Sequence, residues 1–220
     1  MAVNQSATQA DHAREVRVWD PVVRVGHWIL VIAFAVAYVS AEEERGSPAI
    51  LHVWAGYAIG CVVLLRVLWG FVGTRYARFS NFVYNPAKVI RYLADMPRGR
   101  ARRFLGHSPA GGAMTLALLA CLAATVTTGV MAYGDRGKGP LPNPQPAIIM
   151  QPAHAEDEGG GNGAEAKGEG GVASEIHGLL ANLTLLLLIV HVSGVLVTSV
   201  VHGENLAAAM IHGWKRSGDH

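Results

Sequence analysis

Four apolar segments dominate the sequence, and their lengths restrict what the chain can fold into. They are Val25 to Ala41, Ile50 to Val72, Gly112 to Tyr133 and Ile176 to Val201. Each reaches or exceeds the roughly 17–25 residues that a helix needs to cross a bilayer. Because the bilayer core offers no water to unpaired backbone groups, such segments span it as helices. The sequence therefore predicts an all-α integral membrane four-helix bundle.

The segments around these helices differ in composition. Residues 1–18 are polar and predict a mobile N-terminal tail, and residues 19–216 are interpreted as the transmembrane domain. Within it, residues 134–172 are rich in Pro, Gly, Ala and acidic side chains, which predicts a disordered loop. A cleaved secretion signal is the alternative for the first apolar segment, because arginines precede it and small residues at 39–41 loosely resemble a cleavage site. The long polar leader argues against that alternative.

Lysines and arginines are unevenly distributed among the connecting segments. They precede the first helix, fill the segment between the second and third helices, and end the chain, whereas the other two connections carry more acids than bases. By the positive-inside rule, both termini and the basic central loop are cytoplasmic, and the loop 134–172 is extracytoplasmic. We expect a bacterial cytoplasmic (inner) membrane protein. Since the basic residues lie where topology requires them, the net charge of +2 does not indicate nucleic-acid binding.

Shorter patterns predict three further features. Asp20 followed by Pro21 predicts the capped start of the first helix. Residues 85–93 form an amphipathic pattern that predicts a short surface helix, and residues 204–214 predict a helical tail. Thr125 lies on the third helix, which has no histidine among the candidate ligands, and is expected to bond its own backbone.

Four histidines lie on or at the ends of the apolar segments: His27, His52, His177 and His191. Imidazole within a bilayer is costly unless its lone pair is used, so repeated histidines predict bound metal or haem. His177 and His191 are fourteen residues apart. This spacing corresponds to about 21 Å of helical rise and nearly four full turns, so the two share one helix face at two depths.

The helix directions pair these histidines, His52 with His177 at the outer face and His27 with His191 at the inner face. Two facing histidines can hold a haem iron from both sides, so the pairs predict two bis-histidine b haems between the helices. The absence of a C-x-x-C-H motif means that the haems are non-covalent. Zinc suits these sites poorly, because neither has a nearby carboxylate or thiol to complete a tetrahedron. The other histidines are treated as non-ligands: His12, His107, His154, His202, His212 and His220.

Two arginines are candidate partners for haem propionates. Arg24 lies one turn before His27, and Arg66 lies within the cytoplasmic half of the second helix. A guanidinium pairs with a carboxylate through two parallel hydrogen bonds. The alternatives are a positive-inside anchor for Arg24 and snorkelling to the interface for Arg66.

Two glycines mark places where a porphyrin could approach a helix. Gly56 follows His52 by one turn, and Gly194 follows His191 by three residues. The alternative for Gly56, which with Gly60 forms a G-x-x-x-G motif, is ordinary helix packing.

Several short motifs occur along the chain in a characteristic order. They are Val18-Trp19-Asp20-Pro21 with Arg24-x-x-His27-Trp28, Leu51-His52-x-x-x-Gly56-Tyr57, Arg66-x-x-Trp69-Gly70-Phe71-x-Gly73, Leu105-Gly106-His107-Ser108-Pro109-Ala110-Gly111-Gly112, and His202-Gly203-Glu204-Asn205-Leu206 through Met210. Together they resemble the bacterial cytochrome b561 family, which includes the b-type cytochrome subunits of nickel-iron hydrogenases. The resemblance implies a four- or five-helix membrane protein with two b haems, and it carries over to the same four histidines.

The resemblance implies electron transfer between the quinone pool and a redox partner such as a c-type cytochrome, a dehydrogenase or a hydrogenase; a second copy of the chain is a further candidate partner. Two histidines per iron leave no position for substrate, which favours a carrier over an enzyme. The alternatives are a superoxide-oxidising quinone reductase, a b-type subunit anchoring a hydrogenase or dehydrogenase, and a scaffold without electron transfer. The acidic outer segments disfavour superoxide, an anion. The four helices, where hydrogenase subunits commonly have five, and the long outer loop place a hydrogenase partner in doubt.

Overall fold

The structure is a computed structural model that describes residues 15–41, 43–44, 47–137 and 171–216. Most of the expected mobile tail and most of the expected loop 134–172 lie outside the described residues. In chain order the elements are β1 (Glu15–Arg17), α1 (Pro21–Val39), β2 (Glu43–Glu44), β3 (Ser47–Pro48), α2 (Ile50–Val72), a short 3₁₀ helix (Phe79–Asn81), α3 (Pro86–Asp95), α4 (Pro109–Asp135), α5 (Val172–His202), α6 (Leu206–His212) and β4 (Trp214–Arg216).

Four of these helices are long and apolar enough to cross a membrane, which confirms the sequence prediction. They are α1, α2, α4 and α5, with 19, 23, 27 and 31 residues. Three of them begin before the apolar segment that predicted them: α1 at Pro21, α4 at Pro109 and α5 at Val172.

Capping side chains explain two of the early starts. The carboxylate of Asp20 accepts a hydrogen bond from the backbone N of Val23 at 2.9 Å, and the hydroxyl of Ser108 accepts one from Gly111 at 3.1 Å. A proline occupies the first turn of both helices. A helix begins where its free N–H groups find an acceptor, so the caps rather than the apolar pattern set these starts.

The four long helices are arranged as two pairs. Helix α1 packs on α2 and α4 packs on α5, and contact between α2 and α4 joins the pairs. The core is built from small and branched side chains: Ala33, Ala37, Ala55, Ile59, Val63, Leu119 and Leu122. Helix α5 makes little backbone contact with α1 or α2. We call the space between α5 and the α1–α2 pair the interhelix gap; the hydroxyl of Tyr38 crosses it to the side-chain oxygen of Asn182 at 3.1 Å.

The two ends of the described chain meet at one end of the bundle. Strand β1 pairs antiparallel with β4, with Val16 opposite Lys215. The carbonyl of Gly213, a residue with φ of 88°, accepts hydrogen bonds from Val18 and Trp19. We call this the terminal end of the bundle and the opposite one, where β2 pairs with β3, the far end. The sequence did not predict the β1–β4 pair, because the two strands lie about two hundred residues apart. Residues 15–17, the end of the expected mobile tail, form strand β1.

The expected surface helix is present as α3, and the expected helical tail is shorter than predicted and ends in β4. One face of α3 holds Tyr92, which is buried with its ring centroid 5.8 Å from that of Phe104. Ile90 and Leu93 are exposed on the same helix. A helix with apolar residues turned outward beside basic ones is suited to lying at a membrane surface.

The carboxylate of Asp20 also joins α1 to the end of α2. It accepts hydrogen bonds from Trp69 Nε1 at 3.0 Å and from Thr74 Oγ1 at 2.5 Å. Partial burial raises the pKa of Asp20, but the hydrogen bonds from Thr74, Trp69 and the backbone outweigh it and hold the pKa below its usual value. A carboxyl group with a lowered pKa stabilises the folded state above its unfolded pKa of about 3.9, and this stabilisation is lost as pH falls through the folded pKa.

We therefore expect Asp20→Ala to lower the unfolding free energy at pH 7 by about 1–3 kcal/mol. Below the folded pKa of Asp20, the difference between variant and parent should shrink. Thermal unfolding in detergent at several pH values measures both effects. Asp95→Ala is the control, because a carboxylate at the C-terminal end of a helix gains nothing from the helix dipole. An unfolding midpoint unchanged by Asp20→Ala would contradict the assignment.

Candidate haem-binding site

The two histidines near the far end face each other across the interhelix gap. The ring centroids of His52 on α2 and His177 on α5 are 5.9 Å apart, and the ring planes are inclined at 86°. Metal–imidazole bonds are about 2 Å long, so two rings that share one metal atom have centroids about 6 Å apart. The observed separation fits a single metal centre between the rings.

Both of these rings are oriented by backbone carbonyls. The Nδ1 atom of His52 lies 2.8 Å from the carbonyl oxygen of Ala37, and that of His177 lies 2.8 Å from the carbonyl oxygen of Thr125. A carbonyl only accepts, so each Nδ1 carries the proton and Nε2 keeps the lone pair for a metal. Ala37 lies in the last turn of α1, where carbonyls lack helical partners. Histidines that bind metals commonly donate their other ring N–H in this way.

The second pair lies nearer the terminal end. His27 on α1 and His191 on α5 are close enough to interact electrostatically. The Nδ1 atom of His27 is buried and has no hydrogen-bond partner among the described residues. The structure thus brings the four histidines together in the two pairs expected from the helix directions. That they bind iron remains a prediction.

Arg66 presents a buried cation beside the terminal-end pair. Its guanidinium lies 5.5 Å and 5.7 Å from the ring centroids of Phe79 and Phe82. Both terminal nitrogens are buried and lack a hydrogen-bond partner in the described part of the chain. Its acidic neighbour Asp20 is already bonded to other groups. A buried guanidinium without an anion is costly, and a carboxylate accepting from both nitrogens would satisfy it.

Arg66 lies at a depth in the bundle from which it could contact a group bound by His27. A Cβ added at Gly26 would lie 3.3 Å from the side chain of Val62, so these residues share one level of the α1–α2 contact. Arg66 follows Val62 by one turn of α2, toward the terminal end. It therefore lies just beyond His27 toward the terminal end, where its guanidinium could bind a carboxylate of a group held by His27.

Arg24 has a different partner from the one expected. Its guanidinium donates to the carbonyl oxygen of Ile211 at the end of α6. The last carbonyls of a helix lack helical partners and attract cations. Arg24 therefore connects α6 to α1. Its Nε atom is buried and has no hydrogen-bond partner among the described residues, so a role toward a propionate stays a prediction.

The two candidate glycines face open space. A Cβ added at Gly56 or at Gly194 would meet no atom within 4 Å. Gly60 differs, because its Cβ would lie 3.0 Å from the side chain of Val126 on α4. Of the two glycines in the G-x-x-x-G motif, Gly60 serves helix packing, and Gly56 leaves room for another group.

The donor set fits haem better than a protein-coordinated ion. Among the described residues, no three or more His, Cys, Asp or Glu side chains are grouped as a metal ion would require. At the far end, two facing imidazoles with proton-bearing Nδ1 atoms match a macrocycle that supplies four ligands of its own. At the terminal end, the buried Arg66 guanidinium without a hydrogen-bond partner among the described residues matches the carboxylates that such a macrocycle carries.

Comparison with known proteins agrees with this geometry. A family model described as prokaryotic cytochrome b561 matches residues 18–213. The chain belongs to the prokaryotic cytochrome b561 family. Membership implies haem b as the cofactor of this membrane protein.

Two relatives of this cytochrome b561 are the probable Ni/Fe-hydrogenase 1 B-type cytochrome subunits of Escherichia coli strain K12 and of Escherichia coli O157:H7. Each is 24% identical over 148 residues, which is 55% of this chain and 61% of the relative. The match therefore spans less than two thirds of the relatives' length. No solved structure matches the chain significantly.

His107, which the sequence predicts to be a non-ligand, is a buried residue of this cytochrome b561. Its ring lies on Phe82 with centroids 4.4 Å apart and meets Trp19 edge-on at 4.8 Å. Burial, followed by the charges of Arg66 and Lys215 and by His191, lowers the pKa of His107 to about 3. His107 is thus neutral at pH 7, and it lies close enough to His191 of the terminal-end pair to interact electrostatically. The sequence signal was weak, because a histidine between Gly106 and Ser108 reads as an ordinary loop residue.

Ion pairs at the terminal end join Glu204 to Arg103 and to Lys215. Glu204 accepts from Arg103, and its other oxygen lies 3.7 Å from Nζ of Lys215. The side chain of Lys215 is only 7% exposed. Burial lowers the pKa of Lys215, and the neighbouring Glu204 opposes that effect.

Proposed function

We propose that the chain is a di-haem b-type cytochrome that carries electrons across the bacterial cytoplasmic membrane between the quinone pool and a redox partner. The observation that carries this proposal is that His52 and His177 face each other across the interhelix gap, while His27 and His191 interact electrostatically at a second depth. His177 and His191 are fourteen residues apart on α5, which separates the two sites by about 21 Å along the helix. Each haem iron, when bound, supplies reversible one-electron chemistry.

The ligand set supports a carrier rather than a substrate-activating centre. His52 and His177 would hold one haem iron, and His27 and His191 the other. Two histidines per iron would leave no ligand position for oxygen or another substrate. The helices also keep both sites within the apolar part of the bundle, because each pair lies inside membrane-length helices.

Other residues of the gap would hold the macrocycles. Gly56 and Gly194 leave open space on their helices. Arg66 would bind a propionate of the haem held by His27 and His191, since its two terminal nitrogens are buried and unpaired among the described residues. Arg24 is the second candidate for a propionate, because its guanidinium donates to Ile211 but its Nε is buried without a hydrogen-bond partner among the described residues.

We further propose that the terminal end is cytoplasmic. The basic segment between α2 and α4, with Arg98, Arg100, Arg102 and Arg103, connects the two helices at this end. The partner we propose is a membrane-associated oxidoreductase such as a hydrogenase, a dehydrogenase or a c-type cytochrome. Its support is that two relatives are named as hydrogenase b-type cytochrome subunits. Anchoring such a partner is compatible with passing electrons to it.

Spectroscopy of the purified chain tests the proposal. We expect b-type bands in the reduced-minus-oxidised spectrum, two haems per chain, low-spin signals from both, and reduction by an added quinol. His212→Ala on α6 is the control and should keep both haems. Absence of the bands, or haem that quinol does not reduce, would overturn the proposal. Catalytic turnover of superoxide with quinone would reassign the chain as an enzyme.

A further inference from the structure

Helix α4 carries none of the four paired histidines, yet it supports one of them. The Nδ1 atom of His177 lies 2.8 Å from the carbonyl oxygen of Thr125. A Cβ added at Gly129, one turn further along α4, would lie 2.8 Å from Cε1 and 3.0 Å from Nδ1 of the same ring. Real Cβ contacts below 3.0 Å essentially never occur. The ring can therefore rest on α4 only because residue 129 has no side chain.

A chain of buried polar contacts fixes α5 on α4 beside this ring. The hydroxyl of Thr125 donates to the carbonyl of Cys121 at 2.8 Å and lies 3.2 Å from the hydroxyl of Thr184. That hydroxyl lies 3.1 Å from the Cys121 sulfur and 2.8 Å from the carbonyl of Leu180. Thr184 is 2% exposed, whereas most of α5 is not buried. These contacts set the height and rotation of α5, and hence where His177 meets Thr125.

Thr125 thus does more than bond its own backbone, as the sequence had suggested. Its carbonyl accepts from His177 and also from the hydroxyl of Thr128 at 3.0 Å. A hydrogen bond from Nδ1 raises the basicity of the other ring nitrogen and fixes the ring plane. A more basic ligand stabilises oxidised iron, which lowers the reduction potential of the centre it binds.

We propose that Gly129, Thr125 and Thr184 are positioning residues for His177, and that through it they set the ligand geometry and the reduction potential of the far-end haem. The inference rests on the proposed function. The inference concerns the far-end site only. At the terminal end, the Nδ1 atom of His27 has no hydrogen-bond partner in the described part of the chain. Changes to the α4 surface should leave that haem unaltered.

The first test substitutes Gly129→Ala and compares it with Gly60→Ala. Both add one methyl group against α4 contacts, but the Cβ at residue 60 meets Val126 and no histidine. We expect Gly129→Ala to lose the far-end haem or to convert it to a high-spin form, with the second haem retained. Gly60→Ala should keep both low-spin signals. Haem content and electron paramagnetic resonance of the purified chains provide the measurements.

The second test separates the hydroxyl of Thr184 from its side-chain volume. Thr184→Val keeps the volume and removes the hydroxyl that joins Cys121 and Thr125, whereas Thr184→Ser keeps the hydroxyl and removes a methyl group. We expect Thr184→Val to shift one haem midpoint potential upward, with the other unchanged, and Thr184→Ser to return it toward the parent value. A merely structural role would change stability and leave the potential as it was.

The outcomes separate this inference from the proposed function. If the parent chain binds no haem pair, the proposed function fails. If the parent binds two haems and Gly129→Ala and Thr184→Val both leave the spectra and potentials of both haems unchanged, the positioning role alone is overturned. The far-end signal is identified as the one that disappears in His52→Ala.

Discussion

Substituting His52 or His177 by alanine is expected to remove one and the same haem, and substituting His27 or His191 to remove the other. Each substitution deletes one member of a proposed ligand pair, of which His52 and His177 face each other and His27 and His191 interact electrostatically. On the proposed ligation, an iron that loses one histidine would be held by a single bond, and the sequence has no C-x-x-C-H motif to link a macrocycle covalently. We expect about half of the haem absorbance to be lost in each variant.

The pairing is read from the spectra of the four single variants and of two double variants. His52→Ala with His177→Ala should resemble either single variant, whereas His52→Ala with His27→Ala should have lost both haems. His212→Ala is the control, because His212 is exposed on the short helix α6, outside the long helices. Loss of different haems from the two members of one proposed pair would show that the ligand assignment is incorrect.

Arg66→Gln is expected to weaken retention of the terminal-end haem by about 10–100-fold, the usual cost of removing a group that supports a bound metal centre. It should also lower the midpoint potential of that haem, because removing a nearby positive charge relieves repulsion on the oxidised, more positively charged iron. Arg66→Lys keeps the charge but cannot form the bidentate pair, so its potential should change less than its haem retention does. Haem loss to apomyoglobin and a redox titration measure the two quantities.

The matched control is Arg91→Gln, on the exposed face of the surface helix α3. It removes an equal charge from the same end of the chain and should alter neither haem. If Arg66→Gln retains both haems with unchanged potentials, Arg66 does not bind a propionate and its buried guanidinium must be satisfied in another way.

Much of the architecture could be predicted because the bilayer imposes simple rules on the chain. Segment length predicted the four long helices, and helix direction paired His52 with His177 and His27 with His191. Asp20 and Pro21 predicted the start of α1, since a cap depends on residues that are close in sequence. Periodicity likewise predicted the surface helix α3.

Features that depend on residues distant in sequence could not be predicted. Arg24 bonds Ile211 because α6 folds back beside α1, and nothing near Arg24 in the sequence indicates this contact. The same holds for Gly129, whose importance comes from a ring contributed by α5. His107 became buried because the loop around it packs on Trp19 and Phe82. Glycine and loop histidine have many ordinary uses, so only the fold distinguishes these positions.

The pairing of β1 with β4 has a consequence for how the molecule is made. Strand β1 is synthesised about two hundred residues before its partner β4. At synthesis rates of about 5–20 residues per second, β1 waits some tens of seconds for β4 to emerge. During that interval His27 is already in the membrane, while α5 with His191 has yet to arrive. The terminal strands thus join only after both histidine pairs can be complete, so their pairing is a late step that marks a finished bundle.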